Sequence, residues 1–60
     1  MWRYDPAADA ATLELSSAPV ASTRELADDW LLDLDADGRV VRIEVLFASD
    51  QLPEAALTGA

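Results

Sequence analysis

The chain contains no cysteine, no histidine and no lysine. Without cysteine it has no disulfide staple, and without cysteine and histidine no zinc site of the usual kind. The lack of histidine and lysine removes Ser-His-Asp and Cys-His catalysis, Schiff-base chemistry and the P-loop, and leaves the seven Ser and Thr residues without a partner base. Positive charge is scarce: four arginines (Arg3, Arg24, Arg39, Arg42) stand against twelve acids, for a net charge of −8. Nucleic-acid binding needs a basic footprint, and anionic membranes repel such a surface, so neither is an expected partner. No apolar run approaches the roughly 20 residues that span a bilayer. The start, Met1-Trp2-Arg3-Tyr4-Asp5, has no secretory pattern, so the expected location is the cytoplasm.

What is present is one small domain over residues 1–60. Of its 31 apolar residues, 12 are alanine, so 19 are large enough to build a core. A chain of this length buries only about 60% of its unfolded surface, so added cover for apolar residues is expected.

Period-two alternation dominates. Trp2 and Tyr4 alternate with Arg3 and Asp5, and Pro6–Ala10 reads as a tight helical turn capped by Asp5. Ala11, Leu13 and Leu15 alternate in the next strand. Pairing Asp5 with Thr12 sets Tyr4 against Leu13, Trp2 against Leu15 and Arg3 against Glu14. Ser16–Ala21, with Pro19, reads as a loop, Ser22–Ala27 as an edge strand and Asp28-Asp29 as a turn. The clearest element is a hairpin of 30–35 and 39–47 turning at Asp37-Gly38. Its expected register pairs Leu34 with Val41, Leu32 with Ile43 and Trp30 with Val45 on one face, and Asp33 with Arg42 and Leu31 with Glu44 on the other. Ser49-Asp50 is a candidate cap, and Pro53–Leu57 a helical turn stopped by Gly59. The expected fold class is therefore α+β, mostly β: a single antiparallel sheet of four or five strands with a short C-terminal helical segment.

Asp33-Leu34-Asp35-Ala36-Asp37-Gly38, followed by Glu44, matches the calcium-loop pattern D-x-D-x-D-G-x5-E. Both flanks, however, have strand periodicity. In a strand Glu44 lies about 20 Å from Gly38, too far to share an ion with Asp33. The hairpin reading is preferred, with a weak site at Asp35 and Asp37 as the residual metal option. Trp2, Tyr4, Trp30 and Phe47 read as inward core residues rather than a ligand platform.

The face carrying Asp33, Arg42 and Glu44 also carries Leu31, Leu46 and Val40, with Leu26 beside it, which is too apolar for a solvated sheet face. Either the C-terminal segment with Leu52 and Leu57 covers it or another protein does. These four residues, Leu26, Leu31, Val40 and Leu46, are the candidate interaction face. A homodimer is the expected partnership. No catalytic residue, cofactor or metal is assigned. The reading is a non-enzymatic structural or interaction module. Its rivals are an acidic binder of a basic protein and, further behind, a metal binder or small enzyme using Asp35 and Asp37.

Tyr4-Asp5-Pro6-Ala7-Ala8-Asp9-Ala10, Thr23-Arg24-Glu25, Asp33–Val41, Ile43-Glu44-Val45-Leu46 and Ala48-Ser49, in this order and spacing, resemble the YuzE-like family of short, mostly bacterial proteins. Arg42 departs from that pattern where a glycine precedes the Ile-Glu pair, and Thr12 where an aromatic is common. The resemblance implies a small β-rich fold with a C-terminal helical segment and no known catalytic residue. It also hints at an antitoxin-like, partner-binding role.

Overall fold

The computed structural model describes residues 2–58. Five strands, β1 (Trp2–Asp5), β2 (Ala10–Glu14), β3 (Ser22–Ala27), β4 (Trp30–Leu34) and β5 (Val40–Leu46), precede two short helices, α1 (Ala48–Gln51) and α2 (Glu54–Thr58). All strands pair antiparallel in one sheet of order β1-β2-β5-β4-β3. Three of the four pairings are hairpins between consecutive strands. The fourth, β2 with β5, joins segments far apart in sequence and makes β5 the central strand. The link between β2 and β3 crosses the sheet end: Leu15 and Ser16 N–H donate to the Val41 carbonyl, and Ala21 N–H to that of Leu34.

Alternation sorts the side chains by face. One face gathers Trp2, Tyr4, Ala11, Ile43, Val45 and Trp30. There the buried cluster of Ala11, Val45 and Ala48 packs with Leu52 and Leu57. The helices therefore cover this face, α2 lying against β1 and α1 against β2. Leu52 is extended, as a residue before proline prefers, and it separates α1 from α2. Helices this short do not persist alone, so their packing on the sheet holds them. Among the described residues no helix is long and apolar enough to cross a membrane.

The register of β4 with β5 matches expectation at Trp30–Val45, Leu31–Glu44, Leu32–Ile43 and Asp33–Arg42. The turn does not. Asp35 N–H bonds the Arg39 carbonyl at 2.9 Å, and Gly38 N–H bonds that of Asp35 at 3.1 Å. The loop is thus Ala36-Asp37-Gly38, three residues rather than two, with Gly38 at φ +81°. A three-residue loop closed by a left-handed glycine is among the common hairpin connections. Leu34 consequently faces Val40, and a bulge between Leu34 and Asp33 restores the register. Asp35 Oδ1 favours the longer loop by accepting from both Asp37 and Arg39 N–H.

Five further expectations are corrected. β1 pairs two residues out of the expected register: Trp2 faces Leu13, Arg3 faces Thr12, Tyr4 faces Ala11 and Asp5 faces Ala10. A shift of two preserves each side chain's face, so periodicity cannot detect it. The turn residue Asp9, at φ 50°, decides it by reversing the chain one residue sooner; residues 6–9 form a turn and no helix. Leu15 leaves the strand and is 57% exposed. Ser49 and Asp50 lie inside α1 rather than capping it, and Phe47 occupies the cap position. Phe47 is 59% exposed and belongs to no core. Gly59, the expected helix stop, lies outside the described residues.

Gly38→Ala tests the turn. An added Cβ meets nothing within 4 Å, so only the left-handed conformation opposes it. Chemical denaturation is expected to show a loss of about 1 kcal/mol.

Candidate functional site

With the helices on one face, the other is left open, contrary to the option that Leu52 and Leu57 cover it. Strand register arranges the open face in rows. Thr23, Asp33, Arg42 and Glu14 form one row; Glu25, Leu31, Glu44, Thr12 and Arg3 the next; Leu46, Ala10 and Asp5 the last. A shallow trough runs beside them between Arg3, Asp5, Thr12, Glu14 and Arg42.

The first row is wired. Asp33, 6% exposed, accepts from Thr23 Oγ1 at 2.7 Å and from Arg42 Nε at 2.6 Å. The Thr23 hydroxyl and then the Arg42 guanidinium hold its carboxyl below the usual range, against the opposing effect of burial. Arg42 is raised in turn by Asp33, with Glu44 and Glu14 adding to the field. A carboxylate so firmly ionised is the opposite of a general acid poised near neutrality. The arrangement positions charge across three strands.

A second wired group lies at the end of the sheet where β1 meets its turn. Asp9 accepts from Tyr4 Oη at 2.7 Å, from Ser49 N–H at 3.0 Å and from Ser49 Oγ at 2.7 Å. Its carbonyl accepts from Ala48 N–H at 2.9 Å. A turn residue forty positions upstream thus satisfies the first N–H groups of α1, in place of a cap on the helix itself. Tyr4, and then Ser49, hold the Asp9 carboxyl below its ordinary range, and the Tyr4 phenol is correspondingly raised. Gln51 pins the helix from its other end: its Oε1 accepts from Trp30 Nε1 and its Nε2 donates to the Leu46 carbonyl, both at 2.7 Å.

Leu31 and Leu46 share the open face, half-buried. Leu26, 59% exposed, stands at the bulge of the edge strand between Glu25 and Ala27. Val40 faces Leu34 beside the other bulge, at the opposite end of β5. The four residues therefore do not form one compact patch. The acids of the calcium pattern are dispersed as well: Asp33 is bound to Thr23 and Arg42, Asp35 to its own turn, and Glu44 lies on β5 opposite Leu31. Among the described residues no group of three potential ligands is positioned to hold a metal ion.

Two residues of consequence escaped sequence reasoning. Asp9 lay inside the expected Pro6–Ala10 helical turn with no role of its own, since its partner Ser49 is remote in sequence. Phe47 continued the strand's apolar run, and nothing local marks it for φ 52°.

The chain belongs to the family described as "Protein of unknown function (DUF2283)", which matches residues 2–49. The match takes in the whole sheet and the start of α1, and is compatible with the resemblance above. No curated protein and no solved structure matches the chain.

The carboxylates generate a pH prediction. Asp9 and Asp33 have folded pKa values below their unfolded ones. Their contribution is complete above the unfolded pKa and is lost as pH falls through the folded value. Melting temperature is expected to fall from about pH 5 downward, with a shallower fall in Asp9→Asn and Asp33→Asn. Parallel wild-type and variant curves would contradict this. At Phe47 the left-handed backbone costs about 1–2 kcal/mol in a non-glycine residue. The ring is mostly exposed and returns little. Phe47→Gly is expected to keep or raise the denaturation midpoint, whereas a structural ring would lower it.

Proposed function

We propose that this DUF2283 protein is a non-enzymatic interaction module that self-associates as a two-fold dimer through the open face of its sheet. The observation that carries the reading is the one-sided cover. The helices occupy one face, while Leu31 and Leu46 remain half-exposed on the other, and among the described residues only Ala11, Val41, Val45 and Ala48 are fully buried apolar residues. Domains with so small a core commonly gain burial by oligomerising.

The sheet edges are poor alternatives. β3 carries a bulge at Leu26, a common protection of edge strands. Two-fold pairing of β3 with itself, in a register centred on the strand, sets Arg24 against Arg24 or Glu25 against Glu25, which like charges oppose. β1 has four residues and runs into Pro6. The open face instead mixes Arg3 and Arg42 with Glu14 and Glu44, so one copy offers both signs to another. The molecule measures 33 × 22 × 17 Å. Its broad side is thus comparable with the roughly 800 Å² per partner of a standard interface.

Light scattering at micromolar concentration is expected to give twice the chain mass of 6.5 kDa. Leu31→Arg and Leu46→Arg are expected to halve it while circular dichroism still reports a folded sheet. A wild-type monomer at that concentration would end this reading.

A further inference from the structure

One row of residues crosses all five strands: Tyr4, Ala11, Val45, Trp30 and Ala27. Beyond it, at the end of the sheet that carries α1, lie Asp5, Asp9, Asp28, Asp29 and Asp50. None of the four arginines does. Arg3 faces Thr12, Arg24 faces Leu32, Arg42 faces Asp33, and Arg39 sits by the hairpin turn at the opposite end. Positive charge is thus confined to the side of the row away from α1, where acids also lie, and the α1 end carries negative charge alone.

The same end exposes large apolar groups. Phe47 is 59% exposed, and the backbone clamps it on both sides: Leu46 N–H donates to the Asp29 carbonyl at 2.8 Å, and Ala48 N–H to that of Asp9 at 2.9 Å. Leu26, also 59% exposed, lies next to the row, two strands away. The backbone that carries Phe47 is therefore held between two aspartate-bearing turns.

We propose that this Phe47–Leu26 surface is a docking site for a basic segment of another protein, with Phe47 as its central anchor. The charge pattern selects the occupant. A two-fold contact places a surface against itself, so a single-signed surface is unsuited to pairing with its own copy, unlike the mixed open face. An arginine or lysine side chain fits both features: its charge meets Asp28, Asp29 and Asp50, and its cationic head stacks on the Phe47 ring. Apolar residues of the same segment cover Leu26, giving the apolar centre and polar rim of an ordinary interface. The site is distinct from the proposed dimer face and does not depend on it.

The test titrates the full chain with a labelled peptide of alternating Arg and Leu, and with its Glu-for-Arg counterpart, by fluorescence anisotropy and amide NMR. Only the basic peptide is expected to bind, with shifts centred on Asp28, Asp29, Phe47 and Ser49. Affinity should fall at least about tenfold between roughly 50 and 500 mM salt. Phe47→Gly should weaken binding by about tenfold, and Asp28→Asn with Asp29→Asn should weaken it independently. The proposal is overturned by no binding at low salt, by shifts centred on Arg42 and Glu44, or by equal affinity of Phe47→Gly and wild type. A loss of dimer mass in Phe47→Gly would instead make this end a self-contact and also overturn it. A monomeric wild type that binds the peptide through Phe47 would sink the dimer and leave this site standing.

Discussion

The pairing of β2 with β5 joins the N-terminal hairpin to the three strands that follow, and it is the sole pairing in this sheet that no tight turn enforces. Ala11 against Val45 and Leu13 against Ile43 supply its apolar side, and Thr12 against Glu44 and Glu14 against Arg42 its polar side. Ala11 and Val45 are fully buried at the centre of the covered face. Fully burying a side chain such as Val45 contributes about 1.5–3 kcal/mol, a large share of what a domain this size can hold. The ladder also decides where the helices go, because the covered face exists only once β2 has docked.

The two carboxylate groups tie this frame together at opposite ends. Asp9 joins β1, its turn and α1, so the helix is capped only when the N-terminal hairpin and the end of β5 are both in place. Asp33 joins β3, β4 and β5 in a single row. In each case the carboxylate is spent on protein donors, which suits assembly better than chemistry. A thin, one-sided sheet is left with one mixed face and one acidic end, and the two surfaces differ in whether charge of both signs is available.

Much of this architecture was legible in the residues. Asp37-Gly38 between alternating apolar runs located the central hairpin, and the facing pair of Asp33 and Arg42 was visible as opposite charges on one face. The antiparallel, mostly β class followed, as did edge placement of the Ser22–Ala27 strand. What failed did so for stateable reasons. The β1–β2 slip of two residues keeps every side chain on its face. The extra loop residue at Gly38 is cancelled by a bulge, so the register away from the turn looks undisturbed. Leu31 and Leu46 were visible as apolar positions on a polar face, but Phe47 was read as core because a period-two pattern does not show where a strand stops.

Local sequence therefore determined the strands, roughly where they turn and the faces of their side chains, because alternation and turn chemistry act between near neighbours. Only the tertiary structure decided that the helices cover the Ala11–Val45 face, that Asp9 caps a helix forty residues away, and that Phe47 stands exposed among aspartates. Each of those depends on segments brought together by the β2–β5 ladder, and no short stretch of the chain carries that information.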